Sequence, residues 1–257
     1  LLRWILFLRR GLSGFMSNSW FAFKQFTIEQ ATVAMKVSTD ACIQGAWAAA
    51  ELRTEPNIRQ ILDIGTGTGL LSLMLAQQLS ADITAIEINP EAAAQAASNF
   101  ANSPWTERIR LFPDSLTAFI SSNGGQFDFI ICNPPFFHRQ LRSHTTARNQ
   151  ARHSDTLSKK ELAESLRLLL LDEGTCCIMY PQTEWDDWLR AAGGAGLFPH
   201  KQLHIHPAAS KPANRMIGIF SKNENATTPV AHLVIYEADR SYTADFITLL
   251  QPYYLNL

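Results

Sequence analysis

Ile61-Leu62-Asp63-Ile64-Gly65-Thr66-Gly67-Thr68-Gly69, followed by LLSLMLAQQL over residues 70–79, is the stretch that decides the fold. The first four residues read as a short buried strand and the Leu-rich run as a helix. Between them, glycines at alternate positions let the backbone turn tightly and approach a ligand closely. Strand, glycine turn and helix are the opening of a nucleotide-binding βαβ unit. The spacing is G-x-G-x-G, whereas dinucleotide sites use G-x-G-x-x-G. Asp63 stands just before the turn. A carboxylate there would repel a pyrophosphate and suits an ammonium group.

A second strand, DITAI at residues 82–86, ends in Glu87. An acid about 20 positions beyond the glycines can grip both hydroxyls of a ribose. A ligand with a ribose, an adenine and an ammonium but no phosphate satisfies both carboxylates, and S-adenosylmethionine is such a molecule. Gly65, Thr66, Gly67 and Gly69 of the turn, with Asp63 and Glu87, are the expected cofactor residues.

Downstream, FDFIIC at residues 127–132 reads as another buried strand and runs into Asn133-Pro134-Pro135-Phe136. Two prolines end the strand and fix the backbone. An Asn carboxamide, a proline carbonyl and an aromatic ring are then set to receive a planar amine on a π-system. The two oxygens accept its N–H groups and the ring stacks on its plane. The implied chemistry is group transfer to an amino nitrogen of a nucleobase or an amide. Asn133, Pro134, Pro135 and Phe136 are the catalytic candidates, with Asn133 also reaching the cofactor and Phe137 a second wall.

In this order, glycine turn, ribose acid and NPPF resemble the class I S-adenosylmethionine-dependent amino-methyltransferases. The stretches FKQF (23–26), MKVSTD (35–40), GAW (45–47) and SPWTERI (103–109), with the terminal YYL (253–255), narrow this. Together they resemble the bacterial tRNA (adenine-N6)-methyltransferases that modify adenosine 37, beside the anticodon of valine tRNA. The resemblance runs from about residue 21 to the C-terminus. It implies a doubly wound, mostly parallel sheet, with Lys36 or Thr39 at the cofactor carboxylate and Asp114 or Ser115 at the adenine amine. Phe136 stands where the adenine enzymes commonly have Tyr, and guanine-N2 methyltransferases of ribosomal RNA often have Phe there. That activity and protein glutamine-N5 methylation are the alternatives. The glutamine enzymes carry a sizeable helical N-terminal domain, for which the chain before Gly65 leaves little room.

The formal net charge is −1, so any RNA must be held by a local basic patch rather than a global field. HRQLRSHTTARNQARH at residues 138–153 supplies Arg139, Arg142, Arg148 and Arg152, next to the catalytic tetrapeptide. Lys211 and Arg215 are candidates to extend it. Four cysteines without C-x-x-C spacing, and seven histidines without a ligand cluster, point to a reduced cytoplasmic protein without a metal. Residues 1–20 are expected to be an extension outside the catalytic fold and 21–257 a single domain. The apolar run in this extension is too short to cross a membrane.

Further elements are expected as follows. Residues 21–26 are strand-like, a helix runs from a cap at Asp40 to residue 51, and another starts at Pro90. Strands fall at 108–112, 175–180, 201–206, 215–221 and 232–237. Helices fall at 158–171, at 184–192 with a break at Gly193-Gly194, and at 245–251. Trp47 and Trp105 are assigned to the core.

Overall fold

The computed structural model describes residues 19–31, 33, 36–55, 57–122, 124–134, 157–225 and 228–257. The expected extension over residues 1–20 lies almost wholly outside them. A small hairpin, β1 (Trp20–Ala22) and β2 (Thr27–Glu29), opens the fold. Then follow α1 (Thr39–Leu52), β3 (Gln60–Ile64), α2 (Leu70–Gln78), β4 (Asp82–Ile86), α3 (Pro90–Ala101), β5 (Ile109–Phe112), α4 (Leu116–Ser121) and β6 (Phe127–Cys132). The second half contains α5 (Lys159–Leu169), β7 (Leu170–Pro181), α6 (Gln182–Gly194), β8 (Phe198–Ala208), β9 (Arg215–Ser221), β10 (Val230–Tyr236) and α7 (Ala244–Leu250).

One eight-stranded sheet carries the architecture, in the order β10-β8-β9-β7-β6-β3-β4-β5. β9 alone runs against its neighbours β7 and β8, and every other pairing is parallel. The expected doubly wound, mostly parallel sheet is therefore present. Helices cover both faces because the central strands are apolar on both sides. On one face, Ile61, Phe129 and Ile131 pack with Ile43 and Trp47 of α1, Leu73 and Met74 of α2, and Phe246 of α7. On the other, Leu62, Ile130 and Ile178 pack with Phe119 of α4, Leu166 of α5 and Trp188 of α6.

Local chemistry sets the element ends. Asn89 caps α3 through the Glu91 and Ala92 amides, with Pro90 opening the helix. Ser158 and Glu161 form a reciprocal capping box on α5. Three expectations need correction. Ser38, not Asp40, caps α1, its hydroxyl accepting from Ala41 N–H, while Asp40 pairs with Arg215 at 2.8 Å. α5 stops at Leu169 because β7 starts at once, five residues earlier than expected. α6 runs through Gly193 and Gly194, and the break comes at Gly196, whose φ of 75° is left-handed.

Three of the stretches that made the resemblance specific, FKQF, SPWTERI and YYL, pack together. Phe23 stacks on Phe26 at 4.5 Å, Phe26 meets the edge of Trp105 at 5.9 Å, and Phe23 bridges to Tyr254. Asn99 on α3 ties β2 to the glycine turn by holding both backbone groups of Glu29 and the Thr68 carbonyl. Arg108 crosses to the C-terminus of α2 and donates to the carbonyls of Ala76, Leu79 and Ala81 at 2.7–3.0 Å. Of these, the Ala76 carbonyl belongs to the last turn of α2, where carbonyls lack a helical partner and carry the negative end of the helix dipole, and Leu79 and Ala81 lie just beyond it. Arg108→Met should therefore lower the unfolding free energy by about 2–4 kcal/mol, because it strips charge-assisted hydrogen bonds from partly buried carbonyls. Urea unfolding measures this, and an unchanged midpoint would remove Arg108 from the α2 cap.

Candidate active site

Register brings the candidate residues into one row. Ile64 pairs with Ile86 and with Cys132, and Ile86 pairs with Phe112, so β6, β3, β4 and β5 end at a common level. The chain then continues into Asn133, Gly65, Glu87 and Pro113-Asp114 respectively. Strands lie about 4.8 Å apart, so the row from Asn133 to Asp114 spans about 14 Å. This is the carboxyl edge, where open α/β sheets bind ligands.

Asp63 is fully buried beneath the turn. Its Oδ2 accepts from Thr66 Oγ1 at 2.6 Å, Ser72 Oγ at 2.7 Å and the Ser72 amide at 3.2 Å. Oδ1 is buried and has no hydrogen-bond partner among the described residues. Burial pushes the carboxyl pKa up to about 6, against the lowering effect of the Thr66 and Ser72 hydrogen bonds. The site therefore holds an orphaned carboxylate oxygen that favours a cationic donor.

Glu87 spans the turn from the next strand. Its Oε2 accepts the Gly67 amide at 2.8 Å and its Oε1 the Asn89 amide at 2.9 Å. A carboxylate oxygen has two lone pairs, so each retains capacity for a ligand hydroxyl. Gly65 and Gly67 have φ of 70° and 59°, and a Cβ built on either meets no atom of the described residues within 4 Å. Their glycines answer to backbone conformation, and the space above them is open to a ligand. Gly69 differs: its φ is 87°, and a Cβ there would lie 2.4 Å from the Phe100 ring. It lets α2 approach α3. The orphaned Asp63 oxygen, the open glycine cradle and Glu87 together fit the ammonium and ribose of S-adenosylmethionine.

At the β6 end, Asn133 is half-buried and its Oδ1 is enclosed without a hydrogen-bond partner among the described residues. Pro134 follows it. Asp114 is exposed and accepts the Ser115 amide at 2.6 Å, while Ser115 caps α4. Lys36 is half-buried in the segment leading into α1, and Thr39 opens that helix, its side chain bonded to Tyr254. Pro135, Phe136, Phe137, Arg139, Arg142, Arg148 and Arg152 lie outside the described residues. Lys211 is exposed near the same edge, whereas Arg215 is engaged by Asp40.

Sequence reading missed three residues. Ser72 looked like part of an apolar helix, and a lone hydroxyl one turn beyond a glycine loop was the available signal. Ile88 is 50% exposed directly after Glu87, an apolar side chain where a flat ring could rest. Gln44, wholly buried in α1, donates to the Cys132 carbonyl at 2.9 Å. Among the described residues, no group of three or more His, Cys, Asp or Glu could hold a metal ion.

Known proteins resemble this chain over most of its length. The methyltransferase small domain family matches residues 46–160. The tRNA1(Val) (adenine(37)-N6)-methyltransferase of Cytophaga hutchinsonii is 39% identical over 94% of this chain and all of its own length. The enzyme of the same name from Vibrio vulnificus is 37% identical over 95% of this chain and 99% of its own. Among solved structures, a predicted O-methyltransferase from Agrobacterium tumefaciens superposes with a TM-score of 0.62 at 19% identity, over 84% of this chain and 99% of that one. That likeness concerns the fold alone.

Two outcomes follow from the carboxylates. A carboxylate attracts an ammonium only when charged, so affinity for S-adenosylmethionine should be level from about pH 7 upward and fall as pH drops through the Asp63 carboxyl pKa of about 6. Asp63→Asn should flatten that dependence in calorimetric titrations. A wild-type affinity that does not change between pH 5 and pH 8 would detach Asp63 from the ammonium. Glu87→Gln should weaken binding by about 1.5–3 kcal/mol, roughly 10- to 100-fold, by discharging an acceptor. Tight NAD binding in place of S-adenosylmethionine binding would overturn the cofactor assignment.

Proposed function

The chain belongs to the tRNA1(Val) (adenine(37)-N6)-methyltransferase family, and from that membership and the site geometry we propose that it methylates the N6 amine of an adenosine in tRNA, at position 37 of valine tRNA. The observation that carries the chemistry is the Oδ1 of Asn133 after β6, buried and without a hydrogen-bond partner among the described residues. An enclosed acceptor without a donor is costly unless a ligand supplies one. An exocyclic amine does so.

The cofactor brings a methyl already activated on a sulfonium, so the protein has orientation to supply. Asp63 and the glycine turn hold the ammonium end, and Glu87 holds the ribose. Asn133 Oδ1 and the Pro134 carbonyl accept the two amine hydrogens, turning the nitrogen lone pair out of conjugation and toward the methyl. Phe136 stacks on the base and Phe137 walls it. Position 37 lies in a loop, so the base is within reach without opening a helix. No strong base is required before transfer, because the proton leaves after the nitrogen has become cationic.

Arg139, Arg142, Arg148 and Arg152, close in sequence to the NPPF tetrapeptide, are assigned to RNA phosphates. This local patch suits a chain whose net charge is only −1. Residues 21–257 act as one catalytic domain. The four cysteines are free and buried, and a tRNA acceptor together with unpaired thiols fits a cytoplasmic setting. Among the described residues, no helix is long and apolar enough to cross a membrane.

Asn133→Ala should leave S-adenosylmethionine affinity within about twofold and lower single-turnover methyl transfer to tRNA by on the order of a hundredfold or more. A mutant with wild-type rate would take Asn133 out of the catalytic set. Replacing Arg142 and Arg148 together by Ala should weaken tRNA binding and reduce the salt slope by about one for each phosphate no longer neutralised. An unchanged slope in titrations at several salt concentrations would leave those arginines as an ordinary solvated segment.

A further inference from the structure

Gln44 lies in α1, and none of its surface is exposed. Its neighbours along the helix are Cys42, Ile43, Gly45 and Ala46, all buried, so a polar side chain here is an exception within an apolar face. The Gln44 Nε2 donates to the Cys132 carbonyl at 2.9 Å and lies 3.5 Å from the Cys177 carbonyl. Cys132 ends β6, and Cys177 lies on the adjacent β7. The two donor hydrogens of one carboxamide therefore reach two strands at the catalytic edge.

The first of these contacts has a direct geometric consequence. The Cys132 carbonyl belongs to the same planar peptide unit as the Asn133 nitrogen. Holding that oxygen fixes the plane from which the Asn133 backbone departs, and with it the direction in which Oδ1 is delivered. On the opposite side of Gln44, Oε1 is buried and has no hydrogen-bond partner among the described residues. An orphaned buried acceptor destabilises a fold, and an apolar residue of the same shape would avoid it. A local choice that costs stability next to a reacting group is the mark of a functional constraint.

We infer that Gln44 is a positioning residue for methyl transfer, which sets the Cys132–Asn133 peptide so that the Asn133 carboxamide meets the acceptor amine. This rests on the proposed role of Asn133. Gln44 touches neither cofactor nor base. Its effect should appear in the rate of transfer and not in binding, because small misplacements of a reacting group cost rate steeply.

Gln44→Met keeps length and volume and removes the donor. The variant should bind S-adenosylmethionine and tRNA with dissociation constants within about twofold of wild type and transfer methyl at least about tenfold more slowly in a single turnover. Hydrogen exchange at the Asn133 amide, followed in the cofactor-bound protein without RNA, should speed up by a similar factor. This second reading needs no methyl acceptor. A variant with wild-type rate and wild-type exchange overturns the inference. So does a variant that loses rate only because cofactor affinity collapses, since that is a structural role. A wild-type protein that transfers no methyl to tRNA defeats the functional proposal instead, and the exchange measurement then decides the role of Gln44.

Discussion

The buried Asp63 carboxylate organises the site. By gathering the Thr66 hydroxyl and both donors of Ser72 on one oxygen, it fastens the glycine turn to the first turn of α2. Glu87 completes the clamp from β4 through the Gly67 amide. The protein's own hydrogen bonds thereby hold the turn, in which Gly65, Gly67 and Gly69 take left-handed φ. One Asp63 oxygen has no hydrogen-bond partner among the described residues, and burial raises the carboxyl pKa, a setting that suits a cation.

The remaining structure sets this cradle beside the acceptor site. β3 lies between β4 and β6, so the turn after β3 is flanked by Glu87 on one side and Asn133 on the other. The Arg108 cap fixes α2, Asn99 ties the turn to β2, and Gln44 ties α1 to β6. Each link is a side chain reaching a backbone carbonyl in another element. The proposed roles thus divide along the strand row, with the residues assigned to the cofactor after β3 and β4 and those assigned to the amine after β6.

Much of this was legible in the sequence because it depends on local pattern. The apolar runs of β3, β4 and β6, the glycine spacing and the double proline each announce themselves within ten residues. Strand ends sharing one edge follow from the β/α alternation. What was not legible depends on tertiary neighbours. The roles of Gly69 and Arg108 appear only once Phe100 and the end of α2 are brought close. Ser38 is the cap because α1 begins at Thr39, and Asp40, inside the first turn, pairs with Arg215 far along the chain. Gln44 sits in an alanine-rich helix, and no periodicity tells a buried carboxamide from an exposed one.

The central claim is that an adenine amine is what Asn133 receives. Mass spectrometry of nucleosides from valine tRNA, after incubation with this protein and S-adenosylmethionine labelled in its methyl group, tests it most directly. N6-methyladenosine carrying the label, from the anticodon loop alone, is the expected product. Labelled N2-methylguanosine would assign the site to guanine and explain Phe136. Label in protein glutamine with tRNA unmodified would contradict the RNA assignment altogether.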